Sequence, residues 1–238
     1  MKSLNGKRVL VTGCANGIGA ACALGFQGDG ASVFGADVDE RGLEEIAASG
    51  VKPILADCAS NDDMRAMVGA VLEDSGKLDV MLLNAGYGMS KRLEDLRDGQ
   101  FEHLVSVHLF GAVNALRAAI PAMKAQKSGH VVLVLSRGAE GNTPGNAAYA
   151  AAKSGMWALM RTAAAELRDY GVLVNGLIPG MTNTKIWGEP RPELQPPEAV
   201  YPAVRQLATL QPTGPSGRVF YLGKEYPMFQ RTLRSKDS

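Results

Sequence analysis

The sequence predicts an α/β fold: a doubly wound, mostly parallel sheet of seven strands with helices on both faces. Two observations carry that prediction. Short apolar, β-branched runs alternate with longer stretches of helical period as far as Ile178. One of those runs, Val131-Val132-Leu133-Val134-Leu135, has no polar side, as a strand covered on both faces requires.

Taken in order, the strands are expected at Arg8–Thr12, Ser32–Asp37, Lys52–Asp57, Leu78–Asn84, His130–Ser136 and Val172–Ile178. The helical stretches between them are Ile18–Gly28, Glu40–Ser49, Asp62–Ser75, Gln100–Lys127 and Ala147–Tyr170. No linker divides them, so residues 1–238 are expected to form a single domain. After Pro179 the prolines crowd between residues 188 and 215, which keeps regular structure brief. Residues 181–215 are therefore expected to form a substrate lid with a small helix near Ala199–Leu210. A last strand near Arg218–Leu222 makes the seventh, and residues 230–238 are expected to be a flexible, mildly basic tail.

The composition narrows the class of protein. With 46% hydrophobic and 21% charged residues and a net charge of +1, the chain is an ordinary globular one. Nothing in that charge calls for nucleic acid or an anionic membrane as partner. The apolar run in the opening MKSLNGKRVLVTG is too short for a signal peptide, and no segment is expected to reach the length of a membrane span. Cys14, Cys22 and Cys58 form neither a metal-ligand spacing nor an even disulfide set. They are expected to be buried free thiols in a reducing, cytoplasmic setting, and no metal site is expected.

The first strand runs into Thr12-Gly13-Cys14-Ala15-Asn16-Gly17-Ile18-Gly19 and then a helix. Gly13 permits the tight turn, Gly17 lets backbone approach a pyrophosphate, and Gly19 allows close helix–strand packing. Asn16 and Ile18 flank the second glycine, where the helix N-terminus offers unpaired N–H groups to an anion. The second strand ends in Asp37, 18 residues beyond Gly19. A carboxylate there accepts hydrogen bonds from adenosine ribose hydroxyls and repels the 2′-phosphate of NADP, so the expected cofactor is NAD.

Tyr149 and Lys153, four residues apart on a helix, share one face. A tyrosine hydroxyl titrates near pH 10, about three units too high for an efficient base at neutrality, and a neighbouring ammonium is expected to lower it. Ser136 closes the fifth strand, and strand ends in open α/β sheets line the ligand crevice.

In this order the motifs resemble the classical short-chain dehydrogenase/reductase family, whose fold is Rossmann-type. The likeness covers roughly residues 5–185: Thr12–Gly19, Asp57, Asn84-Ala85-Gly86, Ser136, Tyr149-xxx-Lys153 and Pro179-Gly180. It implies that Ser136 orients the substrate oxygen, Tyr149 is the acid/base, and Lys153 binds the nicotinamide ribose and tunes Tyr149. It implies adenine contact at Asp57 and its neighbour Cys58, and a cofactor cleft lined by Asn84-Ala85-Gly86. It also implies that the backbone after Pro179-Gly180, with Thr182 and Thr184, holds the nicotinamide carboxamide.

The sequence departs from that family in three places, the most modest being Leu83, which precedes Asn84 where a second asparagine often stands. His108 stands where an asparagine usually holds a water that relays protons from the lysine. It is either a hydrogen-bonded core histidine or a relay that uses the imidazole itself. The ending Gly217-Arg218-Val219-Phe220-Tyr221-Leu222-Gly223 lacks the usual Thr-Gly turn and Asp-Gly-Gly, which puts the last strand's neighbourhood in question.

The predicted function is NAD-dependent interconversion of a secondary alcohol and a ketone. The alternative is a catalytically silent NAD-binding regulatory protein. Met181, Ile186 and Trp187 make the lid apolar, so the expected substrate is a small apolar alcohol or ketone. Arg137 and Glu140 are expected to be solvated loop charges. Two helices with apolar residues beyond one stripe, together with the family likeness, predict a homodimer or homotetramer.

Overall fold

A computed structural model describes residues 4–141 and 143–229; the expected tail at 230–238 lies outside them. The strands are β1 Arg8–Thr12, β2 Ser32–Asp37, β3 Lys52–Leu55, β4 Val80–Leu83, β5 Gly129–Val134, β6 Val172–Ile178, β7 Val219–Tyr221 and β8 Lys224–Glu225. They form one sheet in the order β3-β2-β1-β4-β5-β6-β7-β8, and β1 to β7 are parallel. The helices are α1 Gly17–Gly28, α2 Glu40–Ala47, α3 Asn61–Ser75, α4 Gln100–Val105, α5 Gly111–Gln126, α6 Ala147–Leu167 and α7 Tyr201–Ala208. Two buried layers result. Phe26, Leu43, Ile46 and Val204 fill the side of α1, α2 and α7, while Met64, Val71, Leu116 and Met160 fill the side of α3, α5 and α6.

The sheet has one strand more than the sequence predicts. β7 and β8 are antiparallel, joined through Leu222 and Gly223, whose φ angles are 47° and 80°. Two consecutive positive φ values match the tight turn favoured in two-residue hairpins, and Leu222 carries no local signal for it. The added strand places Lys224 and Glu225 along the sheet's last edge, where charges discourage edge-to-edge pairing.

Helix Gln100–Lys127 is not continuous. A π-helical turn, Ser106–Phe110, separates α4 from α5 and is centred on His108. Single π turns inside α-helices recur at functional sites because the extra residue redirects a side chain. The same helix corrects the expectation about membrane spans. Over Gln100–Gln126, 27 residues, an 18-residue window averages a hydropathy of 1.4, long and apolar enough by composition to cross a membrane. In the fold that apolarity is used in packing: Ala112, Ala115, Leu116, Ala119 and Met123 are buried in the core.

Strand ends also fall short of the prediction. Asn84, Ser136 and Asp57 lie past the last ladder residues, because their polar groups bond to neighbouring turns rather than to the sheet. Within the expected lid, α7 is latched to α1. Tyr201 Oη donates to Asp29 Oδ2 at 2.7 Å, Arg205 pairs with the same carboxylate, and the Tyr201 ring meets Phe26 edge-on at 5.2 Å.

Candidate active site

The strand order reverses between β1 and β4, and the crevice opens there at the carboxyl ends of the strands. Gly13 and Gly17 in the turn after β1 have φ of +69° and +57°. A Cβ on Gly17 would stand 3.2 Å from Thr184 Cγ2, so the turn faces the segment that follows β6. A Cβ on Gly19 would fall 1.9 Å from the Gly13 carbonyl oxygen, which is how closely α1 sits on the turn.

Asn16 precedes α1 without a side-chain cap, and the first turn holds no acidic residue; Asp39 and Ser60, by contrast, cap α2 and α3. The first N–H groups of α1, around Ile18, and the positive end of its dipole are left for an anion. These residues fit the pyrophosphate of a dinucleotide. Asp37 closes the other end of that cradle. Its Oδ2 accepts from Ala15 N at 2.9 Å, and its Oδ1 accepts from Val38 N at 2.8 Å and Asp39 N at 3.1 Å.

Across the crevice, Asn84 Nδ2 donates to the carbonyls of Thr12 and Gly13, both at 3.1 Å, which ties Asn84-Ala85-Gly86 to the phosphate turn. Asp57 is committed to its own loop, where its Oδ1 accepts from Ala59 N at 2.8 Å. Cys58 beside it is buried, and burial pushes its thiol up to about 12.

Ser136, Tyr149 and Lys153 come together at the end of β5. The Ser136 hydroxyl accepts from Gly138 N at 3.0 Å, and a Cβ on Gly138 would stand 3.2 Å from Ser136 Oγ and 3.3 Å from Tyr149 Cε1, so serine and tyrosine flank the same glycine. Lys153 is only 3% exposed; its Nζ donates to the Val134 carbonyl at 2.8 Å and lies 5.7 Å from the centre of the Tyr149 ring. Leu104, Ala148 and Ala152, with Tyr87, Met89 and Phe101, make an apolar wall around Tyr149.

A family model for short chain dehydrogenases matches residues 7–195 of this chain. The chain belongs to the short-chain dehydrogenase family. This dehydrogenase is 33% identical over 188 residues to the 3-oxoacyl-(acyl-carrier-protein) reductase FabG of Thermotoga maritima, a match that covers 76% of each chain. Its fold resembles the crystal structure of the 3-ketoacyl-(acyl-carrier-protein) reductase of Brucella melitensis complexed with NADH. The TM-score is 0.86 at 27% identity, covering 92% of this chain and 97% of the other. It also resembles an NAD+-bound xylitol dehydrogenase, with a TM-score of 0.84 at 26% identity, covering 92% and 98%. The dehydrogenase is thus an oxidoreductase with a fold that binds a nicotinamide cofactor.

Three expectations change against this geometry. The Tyr149 pKa is not lowered. Burial raises its pKa above the ordinary value, and the Ser136 hydrogen bond only partly offsets that. Lys153 does not correct it, because its head group is turned to the Val134 carbonyl and burial has pushed its own pKa down to about 7. Thr182 is not free for the carboxamide. It is buried, and its hydroxyl accepts from Gln195 Nε2 at 2.9 Å and donates to the Gly180 carbonyl at 3.4 Å.

His108 is the third. Its Nε2 sits 3.1 Å from Tyr87 N and 2.9 Å from the Tyr87 carbonyl, and its ring meets the Tyr149 ring edge-on at 5.5 Å. Burial, then the nearby Lys153 charge, push its pKa down to about 3 against the opposing bond to Tyr87. An imidazole held neutral at physiological pH does not carry a proton by charging. The ring fills the space beside Gly86, where a Cβ would fall 2.1 Å from His108 Cε1, and its buried Nδ1 has no hydrogen-bond partner among the described residues.

Two positioning contacts carry no local sequence signal. Thr12 Oγ1 accepts from Asn84 N at 3.0 Å and Ala85 N at 3.2 Å, so it joins the phosphate turn to β4. Glu140, expected as a solvated charge, instead accepts from Tyr226 Oη at 2.8 Å.

The buried Lys153 gives a stability prediction with a definite sign. In the unfolded chain the ammonium keeps its proton to its ordinary value of 10.5, whereas in the fold it gives it up near 7. Between those values the unfolded state binds more protons, so the fold gains stability as pH rises. Lys153→Met removes that gain. Its stability relative to wild type is expected to fall from pH 7 to pH 9, by at most about 1.4 kcal/mol per pH unit. Urea unfolding of both proteins across that range measures it, and a constant difference would show that Lys153 keeps its proton.

Proposed function

We propose that this dehydrogenase is NAD-dependent and interconverts a secondary alcohol and a ketone, with Tyr149 as the acid/base. The observation that carries this reading is the convergence of Ser136, Tyr149 and the buried Lys153 at the end of β5. The bound dinucleotide supplies the hydride acceptor or donor. Tyr149 takes the proton from the alcohol oxygen, or returns it to the ketone. Ser136 donates a hydrogen bond to that same oxygen and stabilises the charge that develops there. Lys153, whose Nζ lies 5.7 Å from the centre of the Tyr149 ring, is the neighbouring amine in this reading.

The preference for NAD rests on Asp37. Three backbone N–H groups hold its carboxylate at the strand end, where it accepts from ribose hydroxyls and repels a 2′-phosphate. Asp37→Ala is expected to lower kcat/KM with NAD far more than with NADP and to shift their ratio at least about tenfold. An unchanged ratio would remove Asp37 as the selector.

The substrate class proposed is a small, largely apolar alcohol or ketone. Met181, Ile186 and Trp187 are exposed at the lid, and Ile186 lies against Gly88, between Tyr87 and Met89 of the apolar wall, where a Cβ would stand 2.9 Å from Ile186 Cγ1. Exposed Phe110 on the outer side of the π turn supports self-association into a dimer or tetramer, which light scattering reads directly. The reading as a whole is tested by assaying NAD and NADP with aliphatic, aromatic and cyclic alcohols, xylitol and a 3-oxoacyl thioester. Turnover of at least one, lost in Tyr149→Phe, is expected. NAD binding without turnover of any would make the chain a silent NAD-binding protein.

A further inference from the structure

The segment after the β7–β8 hairpin crosses to the catalytic face and touches both halves of the site. Tyr226 Oη donates to Glu140 Oε2 at 2.8 Å, and Phe229 N donates to Glu140 Oε1. Glu140 ends the short 3-10 turn Arg137–Ala139 that follows Ser136. Three residues on from Tyr226, the Phe229 ring packs on Trp157 with centroids 4.6 Å apart. Trp157 lies one helical turn beyond Lys153 and two beyond Tyr149 on α6. Between the two anchors Met228 is 2% exposed and packs in the main core.

The serine loop is otherwise held to α6 by Ser154 Oγ, which donates to the Ala139 carbonyl at 3.0 Å. The space there is tight. A Cβ on Gly138 would stand 3.2 Å from Ser136 Oγ and 3.3 Å from Tyr149 Cε1, so a small displacement of the loop changes the distance between the two hydroxyls. We propose that residues 226–229 form a strap that fixes the Ser136 loop against the Tyr149 helix, with Glu140, Tyr226 and Phe229 as positioning residues. The strap depends on β8, because the hairpin turn at Leu222-Gly223 reverses the chain from the sheet edge toward α6. Its catalytic consequence rests on the function proposed above; its mechanical consequence does not.

Two measurements on the full-length protein separate these. The first is amide hydrogen exchange in Tyr226→Phe/Phe229→Ala. Exchange over residues 137–141 is expected to speed at least about tenfold, while residues 13–19 keep their protection and NAD affinity stays within about twofold. Unchanged exchange over 137–141 would overturn the strap whether or not any substrate is found. The second is a double-mutant cycle on kcat with Ser136→Ala, using whichever panel substrate is turned over. The strap variant is expected to lower kcat about tenfold with Ser136 present and less than about twofold in the Ser136→Ala background. Equal losses in both backgrounds would reduce the strap to a general structural brace.

Discussion

Tyr149→Phe is expected to lower kcat/KM about a thousandfold, within the 10²–10⁴ range that a positioned acid or base contributes. NAD affinity is expected to remain within about threefold, because the cradle is built from the turn, α1 and Asp37 rather than from the phenol. The loss should come with a change in pH dependence. Burial raises the Tyr149 pKa, so in the wild type alcohol oxidation should accelerate as pH rises and the phenolate forms. Ketone reduction, which needs the protonated phenol, should slow over the same range. In the Phe variant both slopes should vanish. Stopped-flow and steady-state rates between pH 6 and 10 check this, and a Phe variant that keeps the wild-type slope would place the acid/base elsewhere.

Gly19→Ala is expected to damage cofactor binding far more than Tyr149→Phe. Its Cβ would fall 1.9 Å from the Gly13 carbonyl and 2.7 Å from Asn84 Nδ2, so α1 must withdraw from the turn that holds the pyrophosphate. The NAD Kd should rise at least about 100-fold, or about 2.7 kcal/mol. Overpacking of this kind costs about 1–3 kcal/mol of stability, which lowers Tm by roughly 2–10 °C for a chain of this size. Gly69→Ala is the matched control. Gly69 is inside α3 with nothing within 4 Å of its would-be Cβ, so alanine should raise stability by about 0.5–1 kcal/mol through helix propensity alone. Isothermal titration and thermal unfolding of both variants decide it. A Gly19→Ala variant that binds NAD normally would mean the turn is more plastic than its packing indicates.

How much of this was legible beforehand differs by the kind of residue. The glycine turn and Asp37 could be read because their chemistry is local: a tight turn needs its glycines, and a strand end presents its last carboxylate to the crevice. Tyr149 and Lys153 could be paired because helix geometry puts residues four apart on one face. Thr12, Glu140 and Tyr226 were not legible in the same way. Each works through a partner far away in the chain: Thr12 with Asn84, and Glu140 with Tyr226. The position of Thr182 after Pro179-Gly180 points to the cofactor, but Gln195 already holds its hydroxyl in the fold.

His108 marks the boundary most clearly. The sequence shows that an imidazole replaces an amide on a helix facing the sheet, and it leaves relay and core residue both open. The fold shows how the ring is held: Nε2 lies at the Tyr87 backbone, and Nδ1 is buried with no hydrogen-bond partner among the described residues. A π turn aims the ring at the Tyr87 backbone, and desolvation with Lys153 nearby keeps it neutral. The sequence alone determined the α/β class and the strand–turn–helix order around the phosphate turn, because those follow from periodicity and from short-range spacing; it singled out Ser136, Tyr149 and Lys153 through the family likeness of the whole motif set. Only the tertiary structure decided the burial of those groups, the hairpin that adds β8 and the contacts of residues 226–229 with Glu140 and Trp157. Burial, like a contact between distant segments, is a property of the packed chain.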